Sequence, residues 1–220
     1  MNPFVAIAGS RLSASPIGFR LIDDLTGAAP FGRVGCVLDT KDGAGAWVPS
    51  GVLAQRSASG VVIFPNLGRT ARRGLAGAAP QRFRARFTAE FYIPLYVATQ
   101  DGLEFDAPLY NDEETPSGLT GIPHDVVLVP APSAPFAPEL RVLRGAVRGA
   151  DGPVANVEVS RGNVDRVLTD PRGDYALPLR LPPLSGQITI DATDHRTGRV
   201  GHVTVTLPDA LGRGQLIAIS

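Results

Sequence analysis

The clearest alternation in the chain runs over residues 83–91, Phe-Arg-Ala-Arg-Phe-Thr-Ala-Glu-Phe, with every odd position apolar and every even one polar. A period of two puts Phe83, Ala85, Phe87, Ala89 and Phe91 on one face of a strand and leaves the other face wet. The same pattern recurs over residues 155–160 (Val157, Val159), 187–193 (Ile188, Ile190, Ala192) and 202–207 (Val203, Val205, Leu207). Ile17, Phe19 and Leu21 alternate ahead of a turn at Asp23-Asp24-Leu25-Thr26-Gly27. Residues 33–39, 60–64 and 216–219 complete the strand candidates, and Tyr175 and Leu177 are expected to point inward. Turn residues separate these runs at 150–153, 169–173 and 195–198, and residues 69–80, rich in Gly, Ala and Arg, read as an exposed loop. Short strands at this spacing predict a sandwich or barrel.

Composition sharpens that expectation. Among 220 residues there are 25 Gly and 20 Pro, which helix interiors tolerate poorly. Residues 129–138 hold Pro130, Pro132, Pro135 and Pro138, so this stretch is expected to be extended and semi-rigid. The expected organisation is an N-terminal arm (1–14), a divergent β-sandwich (15–128), a Pro-rich linker (129–139) and a second sandwich (140–220). The two parts read as divergent copies of one module. In each, a Gly/Pro turn precedes a Val-rich strand: Gly27 to Pro30 before Val34, and Asp151-Gly152-Pro153 before Val157. Each then has a small-polar turn with Gly before an apolar strand (Ser57 to Gly60, Thr169 to Gly173), followed by an alternating strand.

Three segments carry a resemblance: Leu143-Arg144-Gly145-Ala146-Val147, then Asp151-Gly152-Pro153-Val154-Ala155-Asn156-Val157-Glu158-Val159, then Thr169-Asp170-Pro171-Arg172-Gly173-Asp174-Tyr175-Ala176-Leu177. Together they resemble the carboxypeptidase regulatory-like family, whose fold is a transthyretin-like (prealbumin-like, Ig-like) β-sandwich. The resemblance spans roughly residues 140–220. It implies an all-β chain of two tandem sandwiches, the first through the internal repeat alone. It implies no activity, because such domains are accessories to many systems. The family's usual final strand around a Gly-Tyr pair is replaced here by Asp194-His195-Arg196-Thr197-Gly198. Asp170 is expected to cap the backbone two residues on, and Gly173 to occupy a position that a Cβ would crowd. The two-module layout also resembles accessory proteins of bacterial phage-tail-like contractile particles.

Charge and chemistry narrow the function. Lys+Arg and Asp+Glu are 21 each, a formal net charge of zero, which argues against a general nucleic-acid binder. Cys36 is the single cysteine, so neither an intrachain disulfide nor a Cys-based zinc site can form, and its Val-rich strand suits a small packed hydrophobe. The first ten residues lack a basic region and carry Pro3, and no apolar run reaches the length of a membrane span. The expected location is the cytoplasm or a particle assembled there.

A catalytic site is not apparent. Of the three histidines, His124, His195 and His202, the last two flank one hairpin and read as surface residues rather than as a site. The Tyr-Arg-Gly-Ser tail of the hydroxyisourate hydrolases is missing. Tyr92, Tyr96, Tyr110 and Tyr175 occur without the paired histidines of the intradiol dioxygenases. Neither a Gly-x-Ser-x-Gly elbow nor a phosphate loop is present. Asp101, Glu104 and Asp106, followed by Asp112-Glu113-Glu114, read as a solvated acidic loop, and Arg172-Gly173-Asp174 as a coincidence of the turn. Catalytic residues, metal ligands and cofactors are therefore assigned to none of the residues.

Interface candidates are Phe4 and Ile7 in the arm, Arg69, Arg72 and Arg73 in the loop, and the aromatic concentration of Tyr92, Tyr96, Phe105 and Tyr110. Tyr92 and Tyr96 are expected to bury their rings and leave their hydroxyls wet, and Arg84 and Arg86 to mark the wet face of their strand. The expectation is a non-enzymatic structural or adaptor subunit contacting protein subunits of a larger, phage-tail-like assembly. A stand-alone carbohydrate- or peptide-binding module is the alternative, and an intradiol-dioxygenase-like or hydrolase enzyme the least favoured reading.

Overall fold

The structure is a computed structural model that describes residues 15, 17–75, 78–96, 101–111 and 123–220. Within them the chain is all-β, with no α-helix and no helix long and apolar enough to cross a membrane. In chain order the strands are β1 (Gly18–Asp23), β2 (Val34–Lys41), β3 (Trp47–Pro49), β4 (Gln55–Arg56), β5 (Val62–Ile63), β6 (Gln81–Ala89), β7 (Tyr92–Pro94), β8 (Leu103–Ala107) and β9 (His124–Pro130). They continue as β10 (Val142–Gly149), β11 (Gly152–Pro153), β12 (Glu158–Arg161), β13 (Asp165–Leu168), β14 (Asp174–Pro178), β15 (Gly186–Asp194), β16 (Arg199–Leu207) and β17 (Gln215–Ala218). A single 3-10 turn, Asp209–Gly212, lies between β16 and β17.

Four sheets result, with orders β4-β5-β1-β9-β7, β3-β2-β6-β8, β11-β10-β14 (with β17 on β10) and β13-β12-β15-β16. Two pairs of sheets share one strand order. With β4, β7 and β11 set aside, the series β5-β1-β9 with β3-β2-β6-β8 matches β14-β10-β17 with β13-β12-β15-β16 in chain order.

Backbone proximity divides the chain into two compact units. One takes its described residues from Met1–Arg20, Val37–Arg84 and Glu104–His124, the other from Leu21–Cys36, Ala85–Leu103 and Asp125–Ser220. The division falls inside β1, β2, β6, β8 and β9. In the first unit Phe19 meets Phe64 and Phe105 edge-on, with centroids 6.2 and 5.6 Å apart, and Phe105 stacks on Phe83 at 5.9 Å. In the second, a core of Leu143, Val147, Val157, Val159, Tyr175, Leu177, Ile190, Ala192, Val205 and Ile217 is withdrawn from water. Burying side chains of this size stabilises each by about 1.5–3 kcal/mol relative to exposure.

The turns repeat a chemistry that the sequence also repeats. Asp23 and Asp194 each begin an Asp-x-x-Thr-Gly segment, and both are buried. Each carboxylate accepts the N–H two residues on (Leu25 2.9 Å, Arg196 3.1 Å) and the hydroxyl three residues on (Thr26 2.8 Å, Thr197 2.6 Å). Each backbone carbonyl accepts the glycine N–H at 2.8 Å (Gly27, Gly198). A second pattern recurs at Asp42, Ser57 and Asp170, whose side chains accept the N–H four residues on, from Ala46, Val61 and Asp174. Asp170 also accepts from Arg172 at 2.8 Å, the two-residue cap anticipated for it. Gly173 has φ +75°, and a Cβ there would lie 2.7 Å from the Val147 oxygen.

Some expectations shift. β6 ends at Ala89, so Phe91 lies outside the strand. Only Val62 and Ile63 of residues 60–64 pair as β5. The last strand runs over Gln215–Ala218 rather than 216–219; Ile217 within it and Ile219 just past it are buried while Leu216 faces water. The loop over residues 69–80 is anchored by buried Leu75. Past β9 the Pro-rich stretch makes short turns rather than running extended throughout, with Ala134 N–H donating to Ala131 and Leu140 N–H to Ala137. Arg144 holds this stretch through the Pro132 oxygen at 3.1 Å and lies 5.8 Å over the Phe136 ring.

Candidate interaction surface

The sequence candidates fall in different environments. Phe4 and Ile7 lie outside the described residues. Arg69, Arg72 and Arg73 are exposed on the loop after β5. That loop is strapped to Tyr110, which accepts the Thr70 N–H at 2.8 Å and donates its own to Gly68 at 3.1 Å. Tyr92 and Tyr110 are buried, and Tyr96 and Phe105 half-buried. The tyrosine hydroxyls expected in water find protein partners instead. Tyr92 donates to Asp23 at 3.4 Å, and Tyr96 accepts the Phe87 N–H at 2.7 Å and donates to the Phe87 oxygen at 3.3 Å. Burial pushes both phenols up to about 12.

Charges that look free in the sequence are largely matched in space. Arg84 donates from Nε and Nη2 to Asp39 at 3.0 and 2.8 Å and lies 4.9 Å over the Trp47 ring, so it is a packed residue rather than a marker of the wet face. Arg82 pairs with Glu104 and Asp106, both at 3.1 Å, and Arg196 with Asp101 at 3.0 Å. The acidic residues around β8 thus face arginines. His195 meets Glu158 at 3.3 Å, while His202 sits in β16 opposite Asp191, so the two histidines do not converge. Among the described residues, groups of three or more His, Cys, Asp or Glu placed to hold a metal do not occur. Cys36 is half-buried in β2.

One feature went unread in the sequence. The connection from β14 to β15 carries Arg180-Leu181-Pro182-Pro183-Leu184, and it holds leucines in water: Leu181 is 95% exposed and Leu184 79%. Leu181 has φ +47°, a left-handed conformation costing a side-chain residue roughly 1–2 kcal/mol. The loop is clamped on both sides. At its start, the Arg180 N–H donates to buried Asp165 at 2.8 Å, and the Arg180 oxygen accepts from Arg161. At its end, Arg141 Nη1 donates to the Pro183 and Leu184 oxygens at 3.1 and 3.4 Å. Val164, in the turn between Arg161 and Asp165, is exposed as well. A held, strained backbone displaying apolar side chains is pre-organised for contact, because little ordering entropy remains to be lost on binding. The sequence signal for it is Leu-Pro-Pro-Leu, apolar residues inside a segment with turn composition.

A second feature is a cavity of about 410 Å³ lined largely by apolar groups, among them Leu25, Ala29, Phe31, Tyr92, Phe136 and Leu140. Phe31 is partly exposed at its mouth and stacks on Phe91 with centroids 5.3 Å apart.

No family model matches this chain, and no curated protein matches it. Among solved structures, one described as the Bacillus anthracis TIE protein aligns at 10% identity with a TM-score of 0.30, covering 94% of this chain and 33% of that one. The chain therefore spans about a third of that protein's length, and at this score the likeness carries no assignment.

Proposed function

We propose that the protein is a non-enzymatic structural or adaptor subunit that works through protein–protein contacts in a larger assembly of the phage-tail-like contractile kind. The observation that carries this reading is Leu181, a leucine kept almost wholly in water on a clamped and strained loop. Strain of this kind persists where the surrounding structure enforces it, and an apolar tip enforced in water is suited to burial by a partner. The internal pairing of Arg82, Arg84 and Arg196 also leaves those charges committed within the fold.

We further propose that the chain is two divergent transthyretin-like sandwiches, spanning residues 15–128 and 140–220. The shared strand order of the sheet pairs supports this reading.

The test is sedimentation of native lysate carrying tagged wild-type chain or a Leu181→Asp/Leu184→Asp variant. The wild type is expected in a megadalton fraction with a fixed set of co-sedimenting proteins, and the variant is expected to be absent from it. A wild type that sediments alone, no larger than a dimer, overturns the assembly reading.

The apolar cavity favours one alternative, a module that binds an extended apolar peptide rather than a carbohydrate. Peptide binding by the isolated protein that is lost on Phe31→Ala would establish that alternative.

A further inference from the structure

Among the described residues the outer edge of β16 is open. β16 ends the sheet β13-β12-β15-β16, and its register with β15 is continuous from Gly186 opposite Leu207 to Asp194 opposite Arg199. Val200 exchanges both backbone hydrogen bonds with Ser220, at 3.3 and 3.2 Å, so the even-numbered residues direct their backbone groups away from β15. His202, Thr204 and Thr206 therefore aim N–H and C=O outward, and among the described residues these groups meet no partner. Their side chains are exposed, while Val205 and Leu207 on the other face are buried.

Natural sheets protect such an edge with lysine, proline, a bulge or an inward charge. Residues 200–207, Val-Gly-His-Val-Thr-Val-Thr-Leu, contain no Lys, Arg, Asp, Glu or Pro, and the unbroken register leaves no bulge. A long uncharged edge rich in β-branched residues pairs with another strand unless something covers it.

We infer that the edge of β16 is covered by the same edge of a second copy of this chain, antiparallel, with the two-fold axis at Thr204. Val200 is already engaged by Ser220 and Pro208 has no N–H, so the available ladder runs from His202 to Thr206. An axis at Thr204 uses all of it: His202 opposes Thr206, Val203 opposes Val205, and Thr204 opposes its own copy. Moving the axis to residue 203 or 205 strands one outward residue. The ladder holds no Asp, Glu, Lys or Arg, its one titratable side chain, His202, stands opposite Thr206 rather than its own copy, and the net charge of zero gives two copies no overall repulsion. The sheet then runs without interruption from β13 of one copy to β13 of the other. This pairing deepens the reading of a protein that acts through contacts, yet it uses none of the Leu181 loop.

Analytical ultracentrifugation and amide hydrogen exchange on the full chain test it. The wild type is expected at twice its mass of 23.1 kDa, with the His202, Thr204 and Thr206 amides protected like strand-interior ones. Thr204→Lys sets two like charges across the axis and is expected to weaken the dimer by about tenfold or more. Thr204→Pro removes an N–H that bonds nothing within one copy, and is expected to give a folded monomer. A wild type that remains monomeric up to roughly 100 μM, where weak specific contacts already show, overturns the inference. So does a dimer whose three amides exchange as exposed ones, or one untouched by Thr204→Lys. The Leu181→Asp/Leu184→Asp chain should keep the dimer, so loss of the dimer and loss of the assembly role are read separately.

Discussion

Arg180 and Asp24, 156 residues apart, make a two-point contact: Arg180 Nη2 donates to the Asp24 carbonyl oxygen at 2.6 Å and to its Oδ2 at 3.0 Å. Arg166 closes the cluster through Oδ1 at 2.8 Å. Asp24 lies in the turn after β1, and Arg180 starts the loop that displays Leu181, so one carboxylate joins two distant turns. Asp24→Ala leaves two arginines short of a partner, one of them with Nε already buried and unbonded. The expected loss is about 2 kcal/mol in urea unfolding. Faster exchange of the Arg180 amide, which donates to Asp165 at 2.8 Å, should accompany it, because the clamp at the start of the loop is weakened.

Tyr175 is the converse case, a buried polar atom whose removal should help. Its ring lies over Gly145 on the neighbouring strand, and its hydroxyl is buried without a partner. An unsatisfied buried hydroxyl costs about 1–3 kcal/mol, so Tyr175→Phe should raise the thermal midpoint or leave it unchanged. Gly145→Ala should do the opposite, since its Cβ would stand 2.0 Å from the Gln215 oxygen and 2.6 Å from the Tyr175 hydroxyl. A loss of about 3 kcal/mol is expected.

Leu181→Gly separates stability from contact. Glycine accepts φ +47° without strain, so the isolated protein should gain about 0.5–1 kcal/mol. The same change deletes the apolar tip and should reduce incorporation into the sedimenting assembly. A variant that is more stable and fully incorporated would remove Leu181 from the contact.

Stability should fall at both ends of the pH range, for different groups. Burial pushes the Asp194 carboxyl up, but hydrogen bonds from Thr197, Arg199 and the Arg196 N–H outweigh it and hold the group below its ordinary 3.8. Its contribution is present above that value and is lost as pH falls through the lower folded pKa, so Asp194→Asn should flatten the acid limb of the unfolding curve. Burial pushes Tyr92, Tyr96 and Tyr175 up from 10.0 to about 12. Their contribution is present below pH 10.0 and is lost between there and about 12. Ultraviolet titration should show these phenols ionising late in the folded protein and near 10 once it is unfolded.

The local grammar of this protein was readable from the chain. Alternation places Phe83, Ala85, Phe87, Val157, Val159, Ile190 and Ala192 inside because a strand's two-residue period is a property of its own backbone. The Asp170 cap and the crowding at Gly173 were equally legible, since both act within a few residues. The twin Asp-x-x-Thr-Gly turns were in the letters as well, although alternation directs attention to strands and passes over them. What the tertiary structure alone decided is non-local. Arg84 becomes a packed ion pair because strand order sets it beside Asp39, and Tyr92 loses its wet hydroxyl because Asp23 arrives from 69 residues away. β16 becomes an open edge only because β15 and Ser220 take some of its backbone groups and leave the rest. Leu181 stands in water because Asp165, Arg161 and Arg141 hold its loop from other strands. Periodicity reports which side of a strand is apolar, whereas exposure, pairing and strain depend on which distant segment comes to lie against it.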